Sequence, residues 1–253
     1  MPETPTTRLC RHSNDAIHLR GQNLVDDLIG EVSFTEALFR HILARTPRPG
    51  ETRIVDAVLV TLMEHGMTPS AIAARMVHMS TPETLQAGVA AGLLAVGSRF
   101  VGTMEGAAGL LDEIVADPAG VEAAARRLAN DYRRERRPLP GFGHHLHRPD
   151  DPRAPKLIAV AEAEGVPGRH IAALRALGQA VDAASGKHVT INATGAIAAV
   201  LREIEVPTRL MRGFAVISRA AGLVAHIGEE QERPAARAIW DLVDHAVPYV
   251  EDE

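Results

Sequence analysis

Residues 141–153 read GFGHHLHRPDDPR and set three histidines, His144, His145 and His147, between a glycine-flanked turn and two aspartates. That composition suits a metal centre, a donor that polarises a carbonyl, or a grip on an acidic ligand through Arg148 and Arg153. A metal would draw on two or three of these histidines with Asp150 or Asp151. Consecutive histidines on an irregular loop point in different directions, and no second ligand cluster of sharp spacing accompanies them, so no metal is expected. Histidines that merely decorate a surface loop are the other reading of this stretch taken alone.

The elements that must position this loop are helical. Ile54, Val58, Leu59, Leu62 and Met63 recur at helical spacing, as do Ile72, Met76 and Met79, and no stretch alternates apolar and polar residues long enough to require a strand. An all-α protein is the expectation. The Ala/Gly-rich segment 86–97 (QAGVAAGLLAVG) predicts a helix in close contact with its neighbours, in the central core and available for a subunit contact. Breakers at Thr46–Gly50, at Asp117–Gly120 and across Pro138–Asp151 mark connections. The stretch 126–137 (RRLANDYRRERR) reads as the solvated face of a helix, with a phosphate-bearing ligand as its alternative.

Composition narrows the function classes. With 253 residues, 46% hydrophobic and 23% charged, the chain can bury a sizeable core, and a net charge of -5 gives no reason to expect nucleic acid. The single cysteine, Cys10, rules out an internal disulfide and fits a reducing compartment. The start MPETPTTRLCRH lacks the apolar run of a secretory signal, so a cytoplasmic protein is expected.

Several segments, taken in order, resemble the citrate synthase superfamily, in its citryl-CoA lyase and ATP-citrate lyase carboxy-terminal branch. EHG at 64–66 is similar to that family's Asp-His-Gly, and GLLAVGSRFVGTMEGAA at 92–108 to its Gly-Leu-Leu-x-x-Gly segment. GFGH with Arg148 and Asp151-Pro152-Arg153 resembles its active-site loop, INATG at 191–195 its Asn-Val-Asp-Gly, and SRAAGLVAHIGEEQERP at 218–234 its Arg-x-x-Gly-x-x-x-His and Glu-Arg-Pro. The resemblance implies a citrate synthase-like fold, with a large helical domain (1–109 plus 213–253) enclosing a small helical domain (110–212). It implies coenzyme A, as an acyl-CoA substrate, bound with a di- or tricarboxylate by a homodimer or homotetramer. By the same resemblance His144 and His65 are catalytic, and Arg153, Arg219, Arg233 and Asn192 bind substrate, with Arg233 reaching across a dimer interface. Arg148, Gly141, Phe142 and Gly143 lie against the CoA.

One position departs from the pattern. Where the family carries the aspartate that removes the acetyl-CoA methyl proton, this chain has Thr194. A threonine can cap the helix expected to begin at Gly195 or Ala196, but an alcohol far from ionising at pH 7 cannot supply general-base catalysis, typically worth about 10² to 10⁴ in rate. Val101, before Gly102, is expected to narrow the space near the thioester. Three functions follow: a carbon-carbon lyase or synthase of the citryl-CoA type with another base, drawn from Glu105, Glu229 and His144; an acyl-CoA hydrolase; and a non-catalytic CoA- or tricarboxylate-binding regulatory subunit.

Overall fold

A computed structural model describes residues 4–98 and 101–251. Arg99 and Phe100, within the 92–108 segment, lie outside the described residues. Three short antiparallel strands, β1 (Cys10–His12), β2 (Ile17–Leu19) and β3 (Gln22–Asn23), open the fold in the order β1-β2-β3 and lead into a π-helical turn, Leu24–Leu28. This small sheet qualifies the all-α expectation. Strands of two or three residues are too short to show the alternation that marks a strand in sequence.

The rest is helical: α1 (Phe34–Leu43), α2 (Glu51–Met63), α3 (Pro69–Ser80), α4 (Leu85–Leu94), α5 (Thr103–Ala116), α6 (Val121–Arg134), α7 (Arg153–Ala163), α8 (Arg169–Ser185), α9 (Ala193–Glu203), α10 (Met211–Glu232) and α11 (Ala236–Ala246). The three runs of breakers fall where expected, between α1 and α2, α5 and α6, and α6 and α7. Ser33 and Thr68 cap α1 and α3 through their side chains, and Pro69 occupies the first turn of α3, where its missing N–H costs nothing. The N-terminus of α8 is capped from a distance: the buried Glu203 carboxylate, on α9, accepts from the N–H groups of Gly168, His170 and Ile171.

A continuous apolar core runs from Leu38 to Ala215 and draws on α1, α2, α5 to α9 and the start of α10. α9 lies at its centre: Ala196 to Leu201 are all fully buried. α2 buries Ile54, Val58 and Leu59 of the stripe its spacing predicts, together with Val55, while Leu62 is half-buried and Met63, at the end of the helix, is exposed. α3 is a helix as predicted, but its most buried face is Ala71, Ala74, Arg75 and His78, while Ile72 and Met76 line an apolar groove shared with Ile239, Trp240, Val243 and Val247 near α11. The reason is close backbone approach. A Cβ on Gly88 would lie 3.0 Å from the Ala74 carbonyl oxygen, and one on Gly92 would lie 2.8 Å from that of Ser70. Within α4 itself only those two glycines are buried, and Leu94 is 88% exposed, so the segment packs closely, as expected, yet lies at the edge of the chain and not in the central core.

The basic stretch forms α6 and its end. Leu128 and the alanines face inward, and the arginines lie outward in ion pairs such as Arg127 with Asp117 and Arg134 with Asp131, as for a solvated face. Residues 208–232, ending in α10, are long and apolar enough to cross a membrane by length and composition; half of that stretch is buried inside the fold. Val101 packs against the core.

Candidate active site

Two turns form the floor of the site. The 141–143 turn lies against residues 190–195: Gly143 N–H donates to Thr190 O at 2.7 Å, Asn192 N–H donates to Gly141 O at 3.0 Å, and Phe142 bridges Ile191. Gly141, at φ +86°, and Gly195 meet backbone to backbone, since a Cβ on Gly195 would lie 2.6 Å from the Gly141 carbonyl oxygen. Both glycines are therefore required by contact. Phe142 turns inward over Gly178, and Gly141 is buried, which leaves Gly143 as the exposed residue of this turn.

Asn192, and not Thr194, caps α9. Its Oδ1 accepts from the N–H groups of Thr194 and Gly195, and its Nδ2 donates to Gly143 O at 2.9 Å, so both ends of the amide hold the two turns together. The helix starts at Ala193, two or three residues earlier than the Gly195 or Ala196 expected, which places Thr194 inside the first turn. Its hydroxyl donates to Asn192 Oδ1 at 2.7 Å and lies 3.0 Å from the hydroxyl of Thr103, the first residue of α5.

His144 Nδ1 accepts from the backbone N–H groups of Leu146 (3.1 Å) and His147 (2.9 Å). Burial, with the neighbouring His147, holds its pKa below the ordinary histidine value, so the ring is neutral at pH 7. A neutral imidazole that accepts at Nδ1 carries its proton on Nε2. Arg153 Nη2 lies 3.4 Å from that Nε2. Arg153 is fixed by Asp151, whose Oδ1 accepts from its N–H and Nε and whose Oδ2 accepts from its Nη2 at 2.8 Å and from the Ala193 N–H at 2.9 Å.

Asp151 is 1% exposed. Burial alone would raise its pKa, but the Arg153 guanidinium and the two backbone donors outweigh it and bring the value down to about 2. The folded pKa lies below the unfolded one, so the contribution to stability, about 2 kcal/mol, is present above pH 4 and is lost as pH falls towards 2. Asp151→Asn is expected to lose that amount at pH 7 and to match the unchanged protein near pH 2, as read from urea unfolding at the two pH values. Sequence reasoning saw Asp151 as part of a motif and as a metal candidate; its buried role rests on contacts with α9 some forty residues away.

His65 and His147 join His144, with ring centroids 5.6 and 4.4 Å from it, and the three offer nitrogens within 4.8 Å of one another. This is not the metal set considered from sequence: His145 is exposed, Asp150 pairs with His188, and Asp151 holds Arg153. The donors do not suit a cation. Ligation through His144 Nε2 would move its proton to Nδ1, against two backbone N–H groups, with a guanidinium 3.4 Å away.

The remaining residues are more scattered. Arg219 is buried and directs its guanidinium to Met63 O, Glu64, Thr68 and Ser70, so it holds the turn that carries His65. Gly222 makes this possible, because a Cβ there would lie 2.0 Å from Met63 O. Burial works to raise the Glu64 pKa, but the His65 N–H, His226 and Arg219 lower it below the usual value. Arg148 is exposed beside a cis bond to Pro149, and Arg233 is exposed at the end of α10. The alternative bases are occupied: Glu105 binds Arg212, and Glu229 binds Arg75. On α5, residues 103 and 105 project about 200° apart, so Glu105 faces away from the Thr103–Thr194 pair. A cavity of about 250 Å³ beside Leu139 is lined by Tyr132, Arg133, Arg137 and Ser185.

Residues 8–240 match the family model "Citrate synthase, C-terminal domain". The chain belongs to the citrate synthase family. Among solved structures of that fold, it is similar to citryl-CoA lyase from Hydrogenobacter thermophilus, with 33% identity, a TM-score of 0.87, and coverage of 99% of this chain and 96% of that one. ATP citrate lyase from Methanothrix soehngenii, solved with citrate and coenzyme A, shares the fold at a TM-score of 0.83 and 18% identity, over 100% of this chain and 42% of that one. A Mycobacterium tuberculosis protein named "Putative citrate synthase 2" is 31% identical over 222 residues, 83% of this chain and 57% of that one. The chain thus spans little more than half the length of the curated citrate synthase relatives it matches first.

Proposed function

We propose that the site makes or breaks the carbon-carbon bond between an acyl-CoA α carbon and a keto acid carbonyl, as in cleavage of citryl-CoA to acetyl-CoA and oxaloacetate. The observation that carries this reading is the pairing at His144. A neutral imidazole is locked with Nε2–H outward, beside an arginine held by a buried aspartate. The imidazole donates to the oxygen on which charge develops, and the guanidinium binds a carboxylate of the same substrate. In cleavage the substrate hydroxyl loses its proton to a water molecule and becomes the carbonyl of oxaloacetate, the C–C bond breaks, and the acetyl-CoA enolate takes up a proton from that water.

His65 lies close enough to His144 to contact the same substrate. Asn192 and Arg219 serve by holding the two turns and the His65 loop. Gly143 and Arg148 present the exposed edge of the loop to the CoA, with Gly141 and Phe142 fixing it from beneath. The two lobes expected at 110–212 and in the remainder enclose this site, and closure excludes water. His144 acts as donor and not as base, Glu105 and Glu229 are paired elsewhere, and with Thr194 in place of the family's aspartate the proton moves through water, at a lower rate than a carboxylate would give.

Thiol release separates the chemistries. A synthase frees CoA thiol only when acetyl-CoA and oxaloacetate are both present, a hydrolase frees it from acyl-CoA alone, and a lyase releases acetyl-CoA from citryl-CoA with the thioester intact and frees no thiol. Thiol release from acetyl-CoA alone would overturn the reading.

The protein works as a cytoplasmic homodimer or homotetramer in this proposal. Leu85 and Leu94 on α4, with Trp240, Leu242 and Val243 on α11, are exposed apolar residues that a second copy would cover. Analytical ultracentrifugation at micromolar concentration is expected to show no monomer; a monomer would count against this assembly and against Arg233 reaching a partner's site.

A further inference from the structure

We propose that Arg75, which no motif includes, and His226, the histidine that closes the Arg-x-x-Gly-x-x-x-His segment, are positioning residues that set the backbone of His65 through Glu64; the catalytic consequence rests on the function proposed above. Arg75 is 1% exposed on a helix whose other buried residues are mostly small. A guanidinium so buried must be fully paired. Its Nη1 donates to Glu230 at 2.8 Å, its Nη2 to Glu229, and its Nε to His226 Nδ1 at 3.0 Å.

Arginine can only donate, so His226 must accept at Nδ1 and carry its proton on Nε2. That Nε2 lies 2.9 Å from Glu64 Oε2. The other oxygen of Glu64 accepts from the N–H groups of His65 (2.8 Å) and Gly66 (2.6 Å), and Gly66 sits at φ +72°. The contacts therefore run from Arg75, which donates to His226, to Glu64, which His226 Nε2 meets as an ion-pair contact outside hydrogen-bond geometry and which holds the turn that presents His65. Both ends are anchored. Glu230 accepts from the N–H groups of Ala235 and Ala236 at the start of α11, and Arg219 reaches Glu64 from the same face of α10. Arg219, Gly222 and His226 fall at i, i+3 and i+7, so a single stripe of α10 clamps the loop.

The test compares two variants and reads one tautomer. In His226→Gln, Oε1 can accept from Arg75 and Nε2 can donate to Glu64, so kcat is expected to stay within about tenfold of the unchanged protein. His226→Leu can do neither, and its kcat is expected to fall about 10²-fold, with the KM for the CoA thioester little changed. Imidazole ¹⁵N spectra of the unchanged full-length protein are expected to show His226 as the Nε2–H tautomer, and this signature is expected to be lost in Arg75→Met. A His226→Leu variant with unchanged kcat, or an Nδ1–H tautomer in the unchanged protein, would overturn the proposal. A protein that turns over no CoA thioester at all fails the function reading, while the tautomer still decides whether the relay exists.

Discussion

Replacing Thr194 with aspartate is expected to raise the rate of carbon-carbon bond cleavage by about 10² to 10⁴. The site is prepared for a carboxylate. Residue 194 lies in the first turn of α9, where the helix dipole favours negative charge, and the Thr103 hydroxyl 3.0 Å away can turn to donate. Asn192 Oδ1, which now accepts from the threonine hydroxyl at 2.7 Å, directs the free carboxylate oxygen away from itself. Single-turnover cleavage of citryl-CoA by the two proteins measures the gain. A large rise means that the chain retains a lyase site lacking only its base. An unchanged rate with tight CoA binding means that the site has been fitted to a substrate that needs no base at this position.

His144→Ala is expected to lower kcat about 10²- to 10³-fold, the usual cost of one donor to a developing oxyanion. The pH profile carries a further signature. Burial and His147 lower the His144 pKa, so the neutral donor persists below the ordinary histidine range. Protonation at still lower pH places a hydrogen on Nδ1, against the N–H groups of Leu146 and His147, and frees the loop. Activity is therefore expected to hold through neutrality and to fall only on the acid side of pH 6.5, the ordinary histidine value. A profile that rises with an ordinary histidine pKa would assign the imidazole a base role instead.

Much of this was legible in the sequence, because the strongest signals are local. The stripe of α2, the breakers between helices and the solvated face of α6 follow from spacing and turn chemistry over a few residues. The face of α3 was misread because its burial is decided by glycines on α4, and those draw the alanines and Arg75 inward, ahead of Ile72 and Met76. The cap of α9 was misplaced by two residues because Asn192 and Thr194 are both good capping types, and only the pairing of Asn192 with Gly143 separates them. The structural roles of the buried Asp151 and Arg75 and of the exposed Glu64 depend on partners 42, 151 and 155 residues away, beyond any local pattern. Resemblance named His65 and Arg219 together; only the fold shows that one holds the loop of the other.

The most direct test of the central claim is mass spectrometry of the products after the purified protein is incubated with citryl-CoA, beside His144→Ala. Acetyl-CoA and oxaloacetate, absent or about 10²-fold slower in the variant, are the expected result. Free CoA with citrate, or products formed equally by both proteins, would contradict it.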